Sequence, residues 1–168
     1  GFVACLLIRL MPFRPPNVEP ILATMMPFSK AYGAMAGFVF AFFNIALYDF
    51  ITGKVGAWTL ITAGTYGLLG FWSAHYFRKR AMKRLNYVKF AIIGTLFFDA
   101  ITGLSIGPLF FHQSFTAALA GQIPFTALHL IGSISFAIIL SPLIYQFVIE
   151  NKKLETASIM TILNLKQA

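Results

Sequence analysis

Two of the five acidic residues in this sequence stand in the same short pattern, D-x-I-T-G, at Asp49–Gly53 and again at Asp99–Gly103. Each aspartate comes at the end of an apolar segment. If those segments cross a membrane, acids there are costly and tend to face a cavity that binds a ligand or an ion. The alternative is local, because Asp before Thr-Gly is typical of a carboxylate that hydrogen-bonds its own turn. Both aspartates are predicted at the outer ends of their helices, on one face.

The repeated pattern belongs to a longer internal similarity. Residues 37–53 align with residues 87–103 without gaps and share Phe, Ala, Asp, Ile, Thr and Gly at equivalent positions. With one inserted residue the similarity continues weakly to Gly121. This favours a duplicated unit, as in many transporter folds, although chance matches between apolar segments are the alternative.

Histidine supplies a second kind of candidate group. His129 lies one turn inside the last predicted span, where an ionisable side chain needs a partner or a wet cavity. His112 belongs to the apolar stretch after the second D-x-I-T-G pattern. We predict both as ligand contacts.

A proline-rich loop and a nearby lysine complete the polar candidates. Four prolines between positions 12 and 20 forbid regular helix and hold Asn17 and Glu19 in place. Lys54 follows Asp49 within a turn, either as its exposed ion-pair partner or as a site for an anionic group of a ligand. All three residues are predicted to contact a ligand.

Aromatic residues lie near the predicted outer ends of the same segments. Trp58 and Phe125 are predicted to stack on a flat heteroaromatic ligand, because binding pockets combine apolar walls with a few polar groups. An interfacial aromatic belt would place such residues there whatever the function.

The amino-acid composition indicates whether the surface of this protein faces water or lipid. Of the 168 residues, 58% are hydrophobic and 11% are charged, against about 25% charged in ordinary soluble domains. There is too little polar surface to cover a water-facing exterior, so a soluble protein is excluded and a lipid bilayer is expected around the chain. The single cysteine, Cys5, allows neither an internal disulfide nor a zinc site.

Segment lengths predict an all-α, polytopic membrane protein: a single domain, 1–168, with a six-helix bundle. The first run covers only about 16 Å, so either this helix is short or the native start lies upstream. The stretch 109–120 reaches about 18 Å and is too short to cross, so it is predicted as a re-entrant or surface helix before the last span. The predicted spans are 1–11, 18–30, 31–51, 57–77, 87–103 and 124–149.

The net charge of +8 is interpreted as a topology signal rather than as a nucleic-acid surface. Six cations and no acid lie between Arg78 and Lys89, in a short loop where the positive-inside rule applies. The loop 78–86 and the basic tail 150–168 are therefore predicted in the cytoplasm, with both termini inside, and the candidate ligand contacts are predicted at the outer side.

Several segments resemble a known family. The sequence is similar to the S-components, or substrate-capture subunits, of energy-coupling factor transporters, especially the riboflavin-type branch. The pattern-level similarity covers nearly the whole chain and rests on the order of VEPILA (18–23), YGAMAG (32–37), YGLLG (66–70), RKR (78–80) and QIPFTALH (122–129). Two features depart from the family. It carries Asn and Lys where this chain has Thr126 and His129, and its Ala-xxx-Ala docking pattern is not visible in residues 1–11.

The resemblance implies a mechanism of capture and delivery. A vitamin-like small molecule would bind from outside, beneath loops 12–20, 52–56 and 104–123. The chain would then associate with a membrane coupling subunit and two cytoplasmic ATPase subunits in a prokaryotic cytoplasmic membrane. The chain has no G-x-x-x-x-G-K-[ST] motif, so ATP is expected to bind the partners. No enzymatic activity, cofactor or metal of its own is expected.

Two other functions compete with capture. The first is a stand-alone, ion-coupled secondary transporter in which Asp49 and Asp99 are proton or cation sites. The second is an intramembrane enzyme with Glu19, Asp99, His112 and His129 around a metal. No H-E-x-x-H or comparable close spacing supports the enzyme.

Overall fold

The computed structural model describes residues 1–13 and 19–151, and this part of the chain is helical, with short turns and no strand. The prediction of an all-α fold is therefore confirmed. The candidate Asn17 and most of the predicted basic tail lie outside the described residues. In chain order the helices are α1 (Phe2–Leu10), α2 (Ile21–Tyr32), α3 (Ala34–Ile51), α4 (Ala57–Arg78), α5 (Arg84–Phe111) and α6 (Phe115–Ile144), and a π-helical turn (Tyr145–Ile149) continues α6.

The short helix α2 forms the centre of the bundle. Residues 21–27 are all buried, and α2 contacts each of the other five α-helices. Apolar residues occur all round its axis, which is typical of a fully buried helix. Its 12 residues span about 18 Å, less than the roughly 30 Å of a bilayer core. The other helices therefore surround α2 and shield it from the solvent.

Three helical stretches are long and apolar enough to cross a membrane: 34–51, 84–111 and 115–149. Only 28–39% of their most apolar windows is buried inside the protein, so most of this apolar surface faces outward. Lipid suits such a surface better than water does. Helix α4 has the length, at 22 residues, but its Thr, Ser and His residues make it less apolar. These three helices indicate that the protein is embedded in a membrane. The six membrane spans expected from the sequence stay a prediction.

The helix break expected after the second D-x-I-T-G pattern is wrong. Helix α5 continues through Gly103, Gly107 and Pro108, and α6 already begins at Phe115. Residues 109–120 are therefore not a separate re-entrant or surface helix but the end of α5, a turn at 112–114 and the start of α6. The physical reason is that a helix satisfies its own backbone groups in an apolar setting, and one proline removes only one N–H donor.

Two glycines bring α3 and α4 into close contact. The Gly33–Gly37 spacing is typical of helices that approach closely, and in the structure Gly37 packs on Gly70 within the same chain. Beside them, the Ser29 hydroxyl donates to the Ser73 hydroxyl at 2.9 Å and links α2 to α4. This glycine therefore serves packing within the subunit.

Substitution of Gly37 by alanine is expected to lower the thermal unfolding temperature in detergent. The new Cβ would come 2.5 Å from the Gly70 carbonyl oxygen and 2.6 Å from the Ser29 Cβ, and overpacking of this kind costs about 1–3 kcal/mol. Gly64→Ala on α4 is the matched control, because a Cβ there meets nothing within 4 Å. An unfolding temperature that is equal in the two variants would contradict this assignment.

The basic loop joins α4 to α5. Its cations Arg78, Lys79, Arg80, Lys83 and Arg84 are all exposed, and the Lys30 ammonium donates to the Phe77 carbonyl at the end of α4, at 2.8 Å. This contact satisfies one of the carbonyls that a helix end leaves open. The loop therefore marks one end of the bundle, at the C-terminus of α4 and the N-terminus of α5.

Candidate ligand-binding cavity

A cavity of about 460 Å³ lies at the opposite end of the bundle from the basic loop. Its walls come from the C-terminal halves of α1, α3 and α5, from the N-terminal halves of α4 and α6, and from the chain just before α2. Six of the residues predicted from the sequence line it together: Glu19, Asp49, Lys54, Trp58, Phe125 and His129. The fold thus brings distant parts of the sequence to one place, while their role as ligand contacts stays a prediction.

A buried acid–imidazole pair lies at the floor of the cavity. The His129 Nδ1 atom lies 2.7 Å from the Asp99 Oδ1 atom, and these residues are 3% and 1% exposed. Because a carboxylate accepts, Nδ1 is assigned as the donor, and Nε2 faces the Tyr66 hydroxyl at 3.5 Å. His129 lines the cavity. Asp99 lies behind the ring, so it acts on the cavity by orienting His129.

The positions of Asp99 and His129 along their helices differ from the sequence prediction. Asp99 lies in the middle of α5 rather than at its outer end, and His129 lies about four turns inside α6 rather than one. The turn-capping alternative is wrong for Asp99, since no turn follows it. Both differences follow from the uninterrupted courses of α5 and α6.

The first aspartate occupies a different environment. Asp49 lies near the end of α3, half-buried, and its Oδ2 atom accepts a hydrogen bond from the Thr59 hydroxyl of α4 at 2.6 Å. The bond crosses to the next helix instead of closing on the backbone of its own turn. One feature is the same in both copies: Thr52 and Thr102 donate to the carbonyls of Tyr48 and Phe98, each at 2.8 Å.

Arg9 is a buried cation in the wall of the cavity. Its guanidinium donates to the Asn44 carbonyl at 2.9 Å and lies 3.4 Å from the Glu19 carboxylate. It also stacks over the Tyr48 ring, 4.3 Å from the ring centroid. These contacts join the end of α1 to α3 and to the start of α2, and they place Glu19 at the cavity.

Aromatic rings form much of the remaining wall. The Trp58 and Phe111 rings contact each other at a tilt of 33°, with centroids 5.7 Å apart, and the Trp58 indole donates to the Lys54 carbonyl at 3.1 Å. Deeper in the cavity, Phe98 and Phe125 contact the edge or face of the His129 ring at 5.8 and 6.0 Å. The site thus offers flat apolar surfaces with polar groups at the rim and the floor.

The glycines after Asp99 allow α6 to approach α5. A Cβ atom at Gly103 would collide with the side-chain amide of Gln122, and one at Gly107 would collide with that of Gln113. Gly103, Gly107 and Gln122 all line the cavity. These glycines therefore make room for the side chains of Gln122 and Gln113 without interrupting α5.

His112 is not brought to the cavity. It is exposed in the turn between α5 and α6, with a left-handed backbone at φ 51°. The metal-enzyme alternative required it beside Glu19, Asp99 and His129. Among residues 1–13 and 19–151, no group of three or more His, Cys, Asp or Glu residues is placed to hold a metal ion together.

Sequence reasoning did not single out several cavity residues. Arg9 is the most important of them, and it carried a signal, since a charged residue inside a short apolar run is costly and calls for a partner. Phe98 carried none, because one phenylalanine among 19 gives no indication of the direction it faces. The other lining residues that were not predicted as ligand contacts are Ile45, Thr62, Tyr66, Thr102, Gly103, Ile106, Gly107, Phe111 and Gln122.

Comparison with known proteins adds no assignment to this geometry. No protein-family model, no curated protein and no solved structure matches the chain.

Proposed function

We propose that this chain is the substrate-binding membrane subunit of an uptake transporter of the energy-coupling factor type, which its sequence resembles. It captures a vitamin-like small molecule from the outer side of a prokaryotic cytoplasmic membrane. A membrane coupling subunit and two cytoplasmic ATPase subunits would then drive delivery. In this proposal the six helices cross or enter the membrane in alternating directions.

The cavity is the observation that carries the proposal. Its volume of about 460 Å³ falls in the range of about 300–1,000 Å³ for small-molecule sites, and its aromatic walls with few polar groups are typical of them. All six α-helices contribute to it directly or through the chain beside them. A shared site of this kind suits a protein whose task is to bind.

The position of the cavity supports capture from outside. The exposed basic loop lies at the other end of the bundle, and short basic loops stay in the cytoplasm. The cavity then opens toward the outer side, with Lys54 and Trp58 near its entrance.

The chain alone is expected to bind a small molecule without transporting it. We would purify the protein in mild detergent and identify the co-purifying molecule by mass spectrometry. The same molecule, radiolabelled, would then be offered to liposomes that contain this chain only. Retention at about one molecule per protein without accumulation in the liposomes is the expected result.

The same liposome assay distinguishes the capture proposal from a second candidate function, a stand-alone ion-coupled transporter. The buried Asp99–His129 pair favours it, since intramembrane acids and histidines often form proton or ion relays. Accumulation that collapses when the proton and sodium gradients are abolished would establish this candidate and overturn the capture proposal. Empty liposomes and liposomes with heat-denatured protein are the controls.

A further inference from the structure

Among the described residues, the buried hydroxyls of Thr95 and Ser133, like that of Tyr87, have no hydrogen-bond partner. The helical residues Thr24, Thr65 and Thr102 each donate to a backbone carbonyl one turn earlier, which is the usual solution for a threonine inside a helix. Thr95 and Ser133 are 0% and 1% exposed, yet their hydroxyl oxygens have no hydrogen-bond partner in the described protein. Burial of a hydroxyl without a partner is unfavourable, so these two groups require an explanation.

Each hydroxyl lies one helical turn from a member of the Asp99–His129 pair, on the same face of its helix. Thr95 precedes Asp99 by one turn on α5, and Ser133 follows His129 by one turn on α6. The two helices run in opposite directions and the pair joins them at 2.7 Å. Thr95 and Ser133 therefore lie on the same side of the pair, about 6 Å deeper than the cavity floor.

The Asp99 carboxylate, one helical turn from Thr95 on α5, adds a third oxygen. Its Oδ1 atom is taken by His129, while Oδ2 is buried and has no partner in the described protein. Three oxygen atoms without partners, those of Thr95, Asp99 and Ser133, thus occur on one strip of the α5–α6 interface, beneath a site that opens to the outer side.

We propose that Asp99, Thr95 and Ser133 bind a monovalent metal cation of about the size of Na⁺. Hard cations take carboxylate, hydroxyl and carbonyl oxygens as ligands, and one carboxylate balances one unit of positive charge. Divalent ions are disfavoured here, because their protein sites use more carboxylates than the single one on this strip. His129 is a positioning residue, since it contacts Oδ1, while Oδ2 has no partner among the described residues.

The cation site is tested without any organic ligand. Thermal unfolding of the ligand-free protein would be followed in detergent with 150 mM NaCl, KCl or choline chloride. A cation that binds only the folded state raises the unfolding temperature by mass action, and we expect a gain of about 3–8 °C in NaCl over choline chloride. A KCl gain equal to that in NaCl supports the same site without selectivity.

The Thr95→Val variant provides the decisive test, because the change in its unfolding temperature should differ between choline chloride and NaCl. Valine has nearly the shape of threonine, so removal of a hydroxyl without a partner should raise stability in choline chloride. If the hydroxyl binds a cation, the same variant should lose the gain in NaCl. Ser133→Ala should lose it as well, which keeps the test valid if one variant does not fold.

Matched controls sit on residues outside the strip. Thr65→Val removes a buried hydroxyl that donates to the Ile61 carbonyl at 2.7 Å, and Ser135→Ala removes an exposed hydroxyl of α6. Both should keep the full NaCl gain. Equal unfolding temperatures of the wild-type protein in all three salts, or an undiminished NaCl gain in Thr95→Val and Ser133→Ala, would overturn the proposal. Neither result bears on whether a small molecule co-purifies.

Discussion

Substitution of His129 by alanine is expected to lower the affinity for the captured molecule by roughly 10- to 100-fold. His129 is the polar group at the cavity floor, and a hydrogen bond to a charged or ionisable group contributes about 1.5–3 kcal/mol. The substitution also removes the donor to the buried Asp99 carboxylate, 2.7 Å away. The measurement is the amount of co-purifying molecule retained per protein after dilution, determined by mass spectrometry.

Asp99→Ala should weaken binding as well, because His129 then loses the group that orients its ring. Asp99→Asn keeps the size of the side chain and should lose less. His75→Ala is the matched control, since His75 is an exposed histidine of α4 whose ring nitrogen contacts the Phe71 carbonyl far from the cavity. Unchanged retention in both His129→Ala and Asp99→Ala, with normal membrane insertion, would remove the pair from the binding site.

The sequence predicted the helices α2, α3 and α4 within a few residues. Proline and glycine mark the ends of helices by local chemistry, and Pro20, Gly33 and Gly53 lie at or next to such ends in the structure. Gly33 and Gly53 do have positive φ angles, at 93° and 67°. The existence of these helices thus follows from local features, which a single sequence contains.

The course of α5 and α6 could not be predicted in the same way. Gly103 and Gly107 look like turn residues, but here they admit the side chains of Gln122 and Gln113. That role depends on residues later in the chain, on α6 for Gln122 and in the turn before α6 for Gln113. A glycine in the sequence can therefore mark either the end of a helix or a point of close packing, and only the packing partner shows which one applies.

The candidate site could likewise be predicted only in part from the sequence. Asp99 and His129 were each predicted from the cost of an ionisable group in an apolar segment. Their contact at 2.7 Å depends on the register between α5 and α6, which neither segment specifies alone. Residue type therefore predicts which groups need a partner, and tertiary packing determines which partner they find.

The second large effect is expected at Arg9, where substitution by alanine should lower the free energy of unfolding by about 3–5 kcal/mol. Three contacts are lost together: the bond to the Asn44 carbonyl, the ion pair with Glu19 and the stack on Tyr48. Breaking a buried ion pair by removing one partner costs about 3–5 kcal/mol. Thermal and urea unfolding in detergent would measure the loss.

Arg80→Ala provides a closely matched control for Arg9→Ala. Arg80 also stacks on a tyrosine, Tyr76, at 4.1 Å, but it is exposed at the basic loop, where such a contact contributes about 0.5–1 kcal/mol. The double variant Arg9→Met/Glu19→Gln should recover part of the stability, because it removes the buried charge of Arg9 together with the part-buried charge of Glu19. If Arg9→Ala were as mild as Arg80→Ala, burial would not be what makes the Arg9 contacts strong, and α1 would not depend on Arg9 for its position at the cavity.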